Sequence, residues 1–217
     1  MSPPLQFLTG FFPVPQTMAN KPSGVIHPKA TYILGVDLAR LGQDSSVFLV
    51  LEKPFDSDEI YVVFIKEMET NLMNEAVNYI KFLDKRFHFT KIYMDTTGLG
   101  SGPYDFLIVD QSFKYRTEDC TFNKSLDGKP LKEIAYTNMK MLLERKSRGV
   151  KGGLHLPDNK KLLYQLIDLR YELKTNGGLK IHHSERGHDD YPDALAIACL
   201  YFRPTNQVDM SGSFAIG

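Results

Sequence analysis

The chain opens its ordered pattern with YILGVD at 32–37, a nearly unbroken apolar run that ends on a carboxylate. Such a run fits a strand buried on both faces. Ser46–Glu52 and Ile60–Glu67 are rich in β-branched and aromatic side chains and predict two further strands. The joints between the three (ARLGQD, then KPFDSDE) are too short for a parallel crossover, so the strands must be antiparallel neighbours. Leu72, Met73, Ala76, Val77, Ile80, Leu83 and Phe87 then recur at helical spacing and predict an amphipathic helix over about Asn71 to Phe87. KIYMD at 91–95 returns as a strand that, after a crossover helix, can lie parallel to the first.

Beyond it, Gly98, Gly100 and Gly102 mark a turn, Tyr104–Gln111 a short helix, and Lys114–Asn123 another strand. Leu131–Arg148 and Asn159–Leu173 read as amphipathic helices. TNGG between Leu173 and Leu179 marks a hairpin or loop with short strands on either side, and Asp193–Phe202 is an apolar helix. The order β-β-β-α-β-α-β, followed by helices, predicts an α/β fold: a mixed sheet, three antiparallel strands then parallel ones, covered by helices on both faces. Residues 1–30 read as a linker or arm, because Pro3, Pro4, Pro13, Pro15, Pro22 and Pro28 discourage regular structure. Phe7, Leu8, Phe11 and Phe12 within it call for cover from the domain or from a neighbouring one. Residues 31–203 form the expected domain and 204–217 a tail.

Composition narrows the class without choosing the function. Hydrophobic residues at 42% and charged ones at 24% are those of a soluble globular domain. No apolar run approaches the roughly 20 residues needed to cross a bilayer, and the start lacks the basic flank and long apolar centre of a signal peptide. A cytoplasmic location is expected. Cys120 and Cys199 are too few for a disulfide framework and lack zinc spacing. Net charge is zero, 26 basic against 26 acidic residues, whereas a domain devoted to gripping phosphate is usually basic. The stretch from Gln111 to Gly153 is different: ten Lys/Arg against five acids, 10 − 5, or +5. It is either a solvated helix face and loop or a surface that tracks phosphates.

The chemistry lies in the acids. Asp37 ends the first predicted strand and Asp95 the fourth. If those strands are parallel neighbours, both carboxylates emerge at one sheet edge. Asp189, Asp190 and Asp193 stand at the start of the last apolar helix, where Asp190 and Asp193 share a face if both lie in its first turn. An aspartate at a strand end also forms turns, and one at a helix start also caps it. Gathered carboxylates repel one another, however, and are generally neutralised by cations. Hard oxygen donors without cysteine suit Mg²⁺ or Mn²⁺, and two such ions about 4 Å apart can activate water and stabilise a leaving oxygen in phosphodiester cleavage. Asp37, at the sheet centre, is the natural bridging ligand. His188 is open between general acid/base, outer partner and plain surface residue.

GVDLARLGQDSSVFLVLE at 35–52, IYMDTTGLGSGPYDFL at 92–107 and GHDDYPDALAIACLYF at 187–202 resemble the nuclease domain of large terminase subunits from tailed bacteriophages. The resemblance covers about residues 31–203. It implies a ribonuclease H-like fold, shared with Holliday-junction resolvases and retroviral integrases, and a metal-dependent endonuclease that cuts double-stranded viral DNA during packaging. By position it makes Asp37, Asp95, Asp190 and Asp193 the metal ligands, with Asp189 and His188 in reserve. It implies double-stranded DNA, other terminase components and the portal as partners, and the host cytoplasm as the place of action. It also places loops at 123–131 and 174–179, and with them the +5 stretch, close to DNA. Large terminases carry a packaging ATPase, yet no GxxxxGK[ST] phosphate loop occurs here. ATP-driven translocation is therefore not expected of this chain, which reads as a monomeric nuclease fragment without base-reading motifs. Three rivals remain: a junction resolvase or repair nuclease, an ATP-binding relative of actin and sugar kinases, and a non-catalytic DNA-binding module of the same fold.

Overall fold

In the computed structural model, the described residues are 9–11, 26–38, 45–69, 73–97, 102–126, 128–174, 178–184 and 188–204. The first long strand is β2 (Thr31–Asp37), since a short one, β1 (Thr9–Phe11), precedes it. β3 (Ser46–Lys53) pairs antiparallel with β2, and β4 (Ile60–Met68) antiparallel with β3. A helix, α1 (Met73–Phe87), crosses over to β5 (Lys91–Asp95), which lies parallel to β2. Then come α2 (Gly102–Ile108), α3 (Gln111–Lys114) and β6 (Thr117–Asp119), the last parallel to β5. A two-stranded ribbon, β7 (Ser125–Leu126) and β8 (Lys129–Pro130), turns through Gly128 at φ 75°, a left-handed conformation that glycine adopts freely. It leads into α4 (Leu131–Ser147), β9 (Leu154–His155), α5 (Lys160–Asp168), β10 (Arg170–Leu173), β11 (Leu179–His182) and α6 (Asp190–Cys199), with a 3-10 turn at Leu200–Phe202.

The main sheet runs β6-β5-β2-β3-β4-β9, the predicted mixture of antiparallel and parallel pairs. Its central strands are apolar on both faces because both are covered. Leu34, Val36, Phe48, Val50, Ile92 and Met94 pack with Ile80, Leu83 and Phe87 of α1 and with Leu107 and Phe113 of the short helices. Ile33, Val47, Leu49 and Leu51 on the other face meet α4, α5 and α6 through Tyr136, Met139, Leu166, Ala194 and Ala198. Alternation along β2, with Ile33 to one core and Leu34 to the other, converts a continuous apolar run into two layers of core.

Three expectations need correction. The helix expected over Asn159–Leu173 ends at Asp168, and Arg170–Leu173 is strand instead. Leu162, Leu166 and Leu169 keep helical spacing on the core. Past them the backbone turns extended (Leu169 at φ −63°, ψ 136°) and pairs with β11, Leu173 opposite Leu179. The proline-rich arm is not wholly without structure: Thr9–Phe11, between Pro4 and Pro13, pairs antiparallel with β10 and makes a second, three-stranded sheet. The last helix begins at Asp190 and not Asp193, so two of its acids stand inside its first turn. β9 was not foreseen; two residues carry no readable period. Asn71 and Leu72, expected to open α1, and the glycines at 98 and 100 lie outside the described residues.

Candidate active site

The parallel pairing of β2 and β5 puts Asp37 directly opposite Asp95 in register, both at the strand ends where the chain leaves the sheet. α6 crosses this edge on the face of β2. Its backbone approaches so closely that a side chain on Gly35 would collide with it: a Cβ there would stand 2.1 Å from the Ala194 carbonyl oxygen and 2.8 Å from Ala198 Cβ. Glycine in a strand interior commonly marks such an approach. The contact fixes the first turn of α6 over the same edge, with Asp190 and Asp193 inside it and Asp189 at the cap position.

The result is a cleft of about 380 Å³ lined by Asp37, Leu38, Asp95, Thr97, Phe122, Asn123, Lys132, Asp189, Asp190 and Asp193. All five of the acids singled out as metal ligands or reserve therefore face one space. Asp95 and Asp193 are buried, 5% and 7% exposed. Burial, reinforced by Asp193, Asp95, Asp190 and Asp189, raises the Asp37 carboxyl well above the ordinary carboxylate range. Burial also raises Asp95, against hydrogen bonds from Thr97, whose backbone N–H donates to Oδ1 at 2.9 Å and whose hydroxyl donates to the same oxygen. For Asp193 burial prevails over Lys132 and the Tyr136 hydroxyl and, with Asp189 and Asp95 adding to it, pushes the carboxyl up to about 8.

A plain capping role does not account for Asp189. It occupies the N-cap of α6, but its side chain makes no cap hydrogen bond. The carboxylate instead accepts from Lys132 Nζ at 2.8 Å. The same ammonium reaches Asp193 Oδ2 at 3.3 Å, while Tyr136 donates its hydroxyl to Asp193 Oδ1. Burial lowers the Lys132 ammonium, but Asp193 and Asp189 outweigh it and the net shift is upward. His188 is exposed and lines the neighbouring clefts over α5, with Tyr164 and Gln165, and not the acidic one. Asp190 lines both the acidic cleft and one of those neighbours.

Lys132, Tyr136 and Thr97 were not foreseen at the site. Lys132 left one signal: it is a lysine in the first turn of α4, where the helix dipole disfavours a cation unless something else holds it. A third strand-end aspartate, Asp119 of β6, stands one residue on from the partner of Tyr93 and ends up differently. Thr96 and Thr121 donate hydroxyls to its Oδ1 (3.0 and 2.6 Å), and Lys124 pairs with its Oδ2 at 2.7 Å. It ties the loop after β5 to the loop after β6, which brings Phe122 and Asn123 into the cleft wall.

The donors are hard oxygens, the kind that hold Mg²⁺ or Mn²⁺. Among the described residues no three His, Cys, Asp or Glu side chains converge on one ion position as they stand. The acids surround a space, and two of them are drawn onto an ammonium. A cation is thus already bound where cations are expected, and the residues fit a divalent metal in chemistry.

No protein-family model matches the chain. Over 171 residues, 79% of its length, it is 28% identical to the terminase large subunit of Thermus virus P23-45. It spans about a third of that relative, 32%. Among solved structures it is similar to the large terminase nuclease of thermophilic phage G20c, solved with bound magnesium. That match has a TM-score of 0.63 at 24% identity, covering 88% of this chain and 92% of that one. It is also similar to the large terminase nuclease domain of bacteriophage SPP1, solved with manganese (TM-score 0.51, 13% identity, 83% and 94% covered). The resemblance to large terminase subunits is borne out, and so is the expected mixed sheet flanked by helices.

Proposed function

We propose that this chain is the nuclease part of a phage terminase large subunit, a metal-dependent endonuclease for double-stranded DNA. The observation that carries the reading is the convergence of strand-end and helix-start carboxylates on one cleft. The kinship in sequence with a terminase large subunit supplies the substrate class and the packaging context. Neither rival enzyme class has an observation of its own here. A junction resolvase would place the same acids similarly, but the sequence kinship points to terminases.

In this reading Asp37 is the central ligand, flanked by Asp95 on one side and by Asp190 and Asp193 on the other, with Asp189 in reserve. Magnesium or manganese, as two ions, is the proposed cofactor; held by these carboxylates it would activate water and stabilise the leaving oxygen. The protein's own part is to gather and aim the acids. Thr97 fixes the rotation of the Asp95 carboxylate and Tyr136 that of Asp193. Leu38 and Phe122 add apolar side chains to the cleft lining. Action in the host cytoplasm, beside the other terminase components and the portal, follows from the same proposal.

The test is nicking and linearisation of supercoiled plasmid by the parent and by Asp37→Asn, each with Mg²⁺, Mn²⁺ or EDTA. Cleavage should require metal. Loss of a central ligand should slow it by more than the roughly hundredfold that loss of an outer-shell partner can cost. Parental rates from a folded Asp37→Asn protein would overturn the site. A parent that binds duplex DNA but leaves it uncut whichever metal is added would favour a binding module.

A further inference from the structure

We propose that Lys132 is a built-in competitor for the metal: its ammonium neutralises the α6 carboxylates in the metal-free protein, and ion loading must displace it. The inference deepens the reading above and rests on it. Among the described residues that line the acidic cleft, Lys132 is the only basic one. Its Nζ lies 2.8 Å from Asp189 Oδ2 and 3.3 Å from Asp193 Oδ2, so one ammonium spans both carboxylates. The other oxygen of Asp193 accepts the Tyr136 hydroxyl, which leaves both of its oxygens engaged. The ammonium is not an accidental visitor. It lies over the Phe122 and Tyr136 rings, 5.1 and 5.5 Å from their centroids, and its side chain is only 27% exposed.

A divalent ion that takes oxygens from Asp193 and Asp189 must share them with this ammonium or expel it. Two cations a few ångströms apart repel strongly in a partly dry cleft. Either route weakens metal binding relative to the same acids without the lysine. The expelled ammonium, on a flexible four-carbon stem, would remain in the cleft. A DNA phosphate there offers it a new partner. Lys132 thereby couples the two ligands: metal frees the lysine for phosphate, and phosphate removes the competitor of the metal. Such coupling would keep the site weakly loaded until a duplex enters it.

The experiment is calorimetric titration of Mn²⁺ into metal-free parent, Lys132→Met, Lys132→Arg and Asp37→Asn, alone and with a cleavage-resistant phosphorothioate duplex. Without DNA, Lys132→Met should bind Mn²⁺ about tenfold more tightly than the parent, since a single neighbouring charge commonly shifts ionic equilibria by that much or more. Lys132→Arg keeps the charge and should stay near the parental affinity. The duplex should tighten Mn²⁺ binding in the parent by several-fold more than in Lys132→Met. Equal or weaker binding by folded Lys132→Met, or an undiminished effect of DNA in it, overturns the proposal. Should Lys132→Met fail to fold without metal, Lys132→Gln, which can still donate to the carboxylates, takes its place with the same expectation. Parental Mn²⁺ binding by Asp37→Asn would instead overturn the metal-site reading, so the two failures are told apart.

Discussion

Three aspartates end three adjacent parallel strands, and their neighbours send them to different tasks. Asp37 and Asp95 face the cleft, but Asp119 is held by two threonine hydroxyls and Lys124. Burial works to raise its carboxyl, yet the bonds from Lys124, Thr121 and Thr96 prevail and hold it below the ordinary value. A carboxyl depressed in the folded state contributes stability that is complete above its unfolded value, about 3.9, and is lost as pH falls through its folded value. Asp119→Asn should therefore cost about 1.5–3 kcal/mol at pH 7, the range for hydrogen bonds to a charged group. The gap between parent and variant should close in urea melts run toward pH 3 and below. A gap that stays constant over that range would mean that shape, not charge, makes Asp119 useful.

At the scale of elements, the site depends on how closely α6 can press on β2. Gly35 has no side chain to hold the helix away, and the backbone carbonyl it would strike cannot move aside as a flexible side chain could. Gly35→Ala is expected to destabilise the fold by about 1–3 kcal/mol, the usual cost of an added methyl in a filled core. It should also weaken Mn²⁺ binding, since lifting α6 withdraws Asp190 and Asp193 from Asp37 and Asp95. Chemical denaturation and metal titration on the same preparation measure both, and an unchanged midpoint would show that the helix has room to shift. Much of this architecture was legible because strong periods mark long elements. The two-faced apolar run of β2, the short joints to β3 and β4, and the single spacing through α1 left few topologies open. The acids were legible for the same reason: Asp37 and Asp95 close such runs, and Asp189, Asp190 and Asp193 stand where the last one opens. The rest depended on partners distant in sequence. Arg170–Leu173 continues a helical pattern locally and becomes strand only because β11 and β1 flank it. Lys132 sits 57 positions from Asp189, and no local pattern joins them.

For the whole molecule, zero net charge sits uneasily with the proposed duplex substrate, which carries a charge on every phosphate. The +5 stretch from 111 to 153 is the obvious candidate to resolve this, but the structure has already assigned much of its charge. Arg116 grips Asp84 through both guanidinium nitrogens at 2.8 and 2.9 Å. Lys124 is held by Asp119, Lys132 by Asp189 and Asp193, and Lys140 by Glu144. Those bases are held within the fold and the site, and only the remainder could neutralise phosphates of a bound duplex without first breaking an ion pair. Each phosphate neutralised adds about 0.9 to the slope of log affinity against log salt. Duplex binding by the Asp37→Asn protein should therefore show a slope no steeper than about −5 between 50 and 200 mM salt. Fluorescence anisotropy across that range measures it. A slope of about −8 or steeper would mean that the whole basic stretch follows the backbone and that its internal ion pairs open when DNA arrives. A shallow slope would leave the domain dependent on metal, on shape, and on whatever holds the duplex over its cleft.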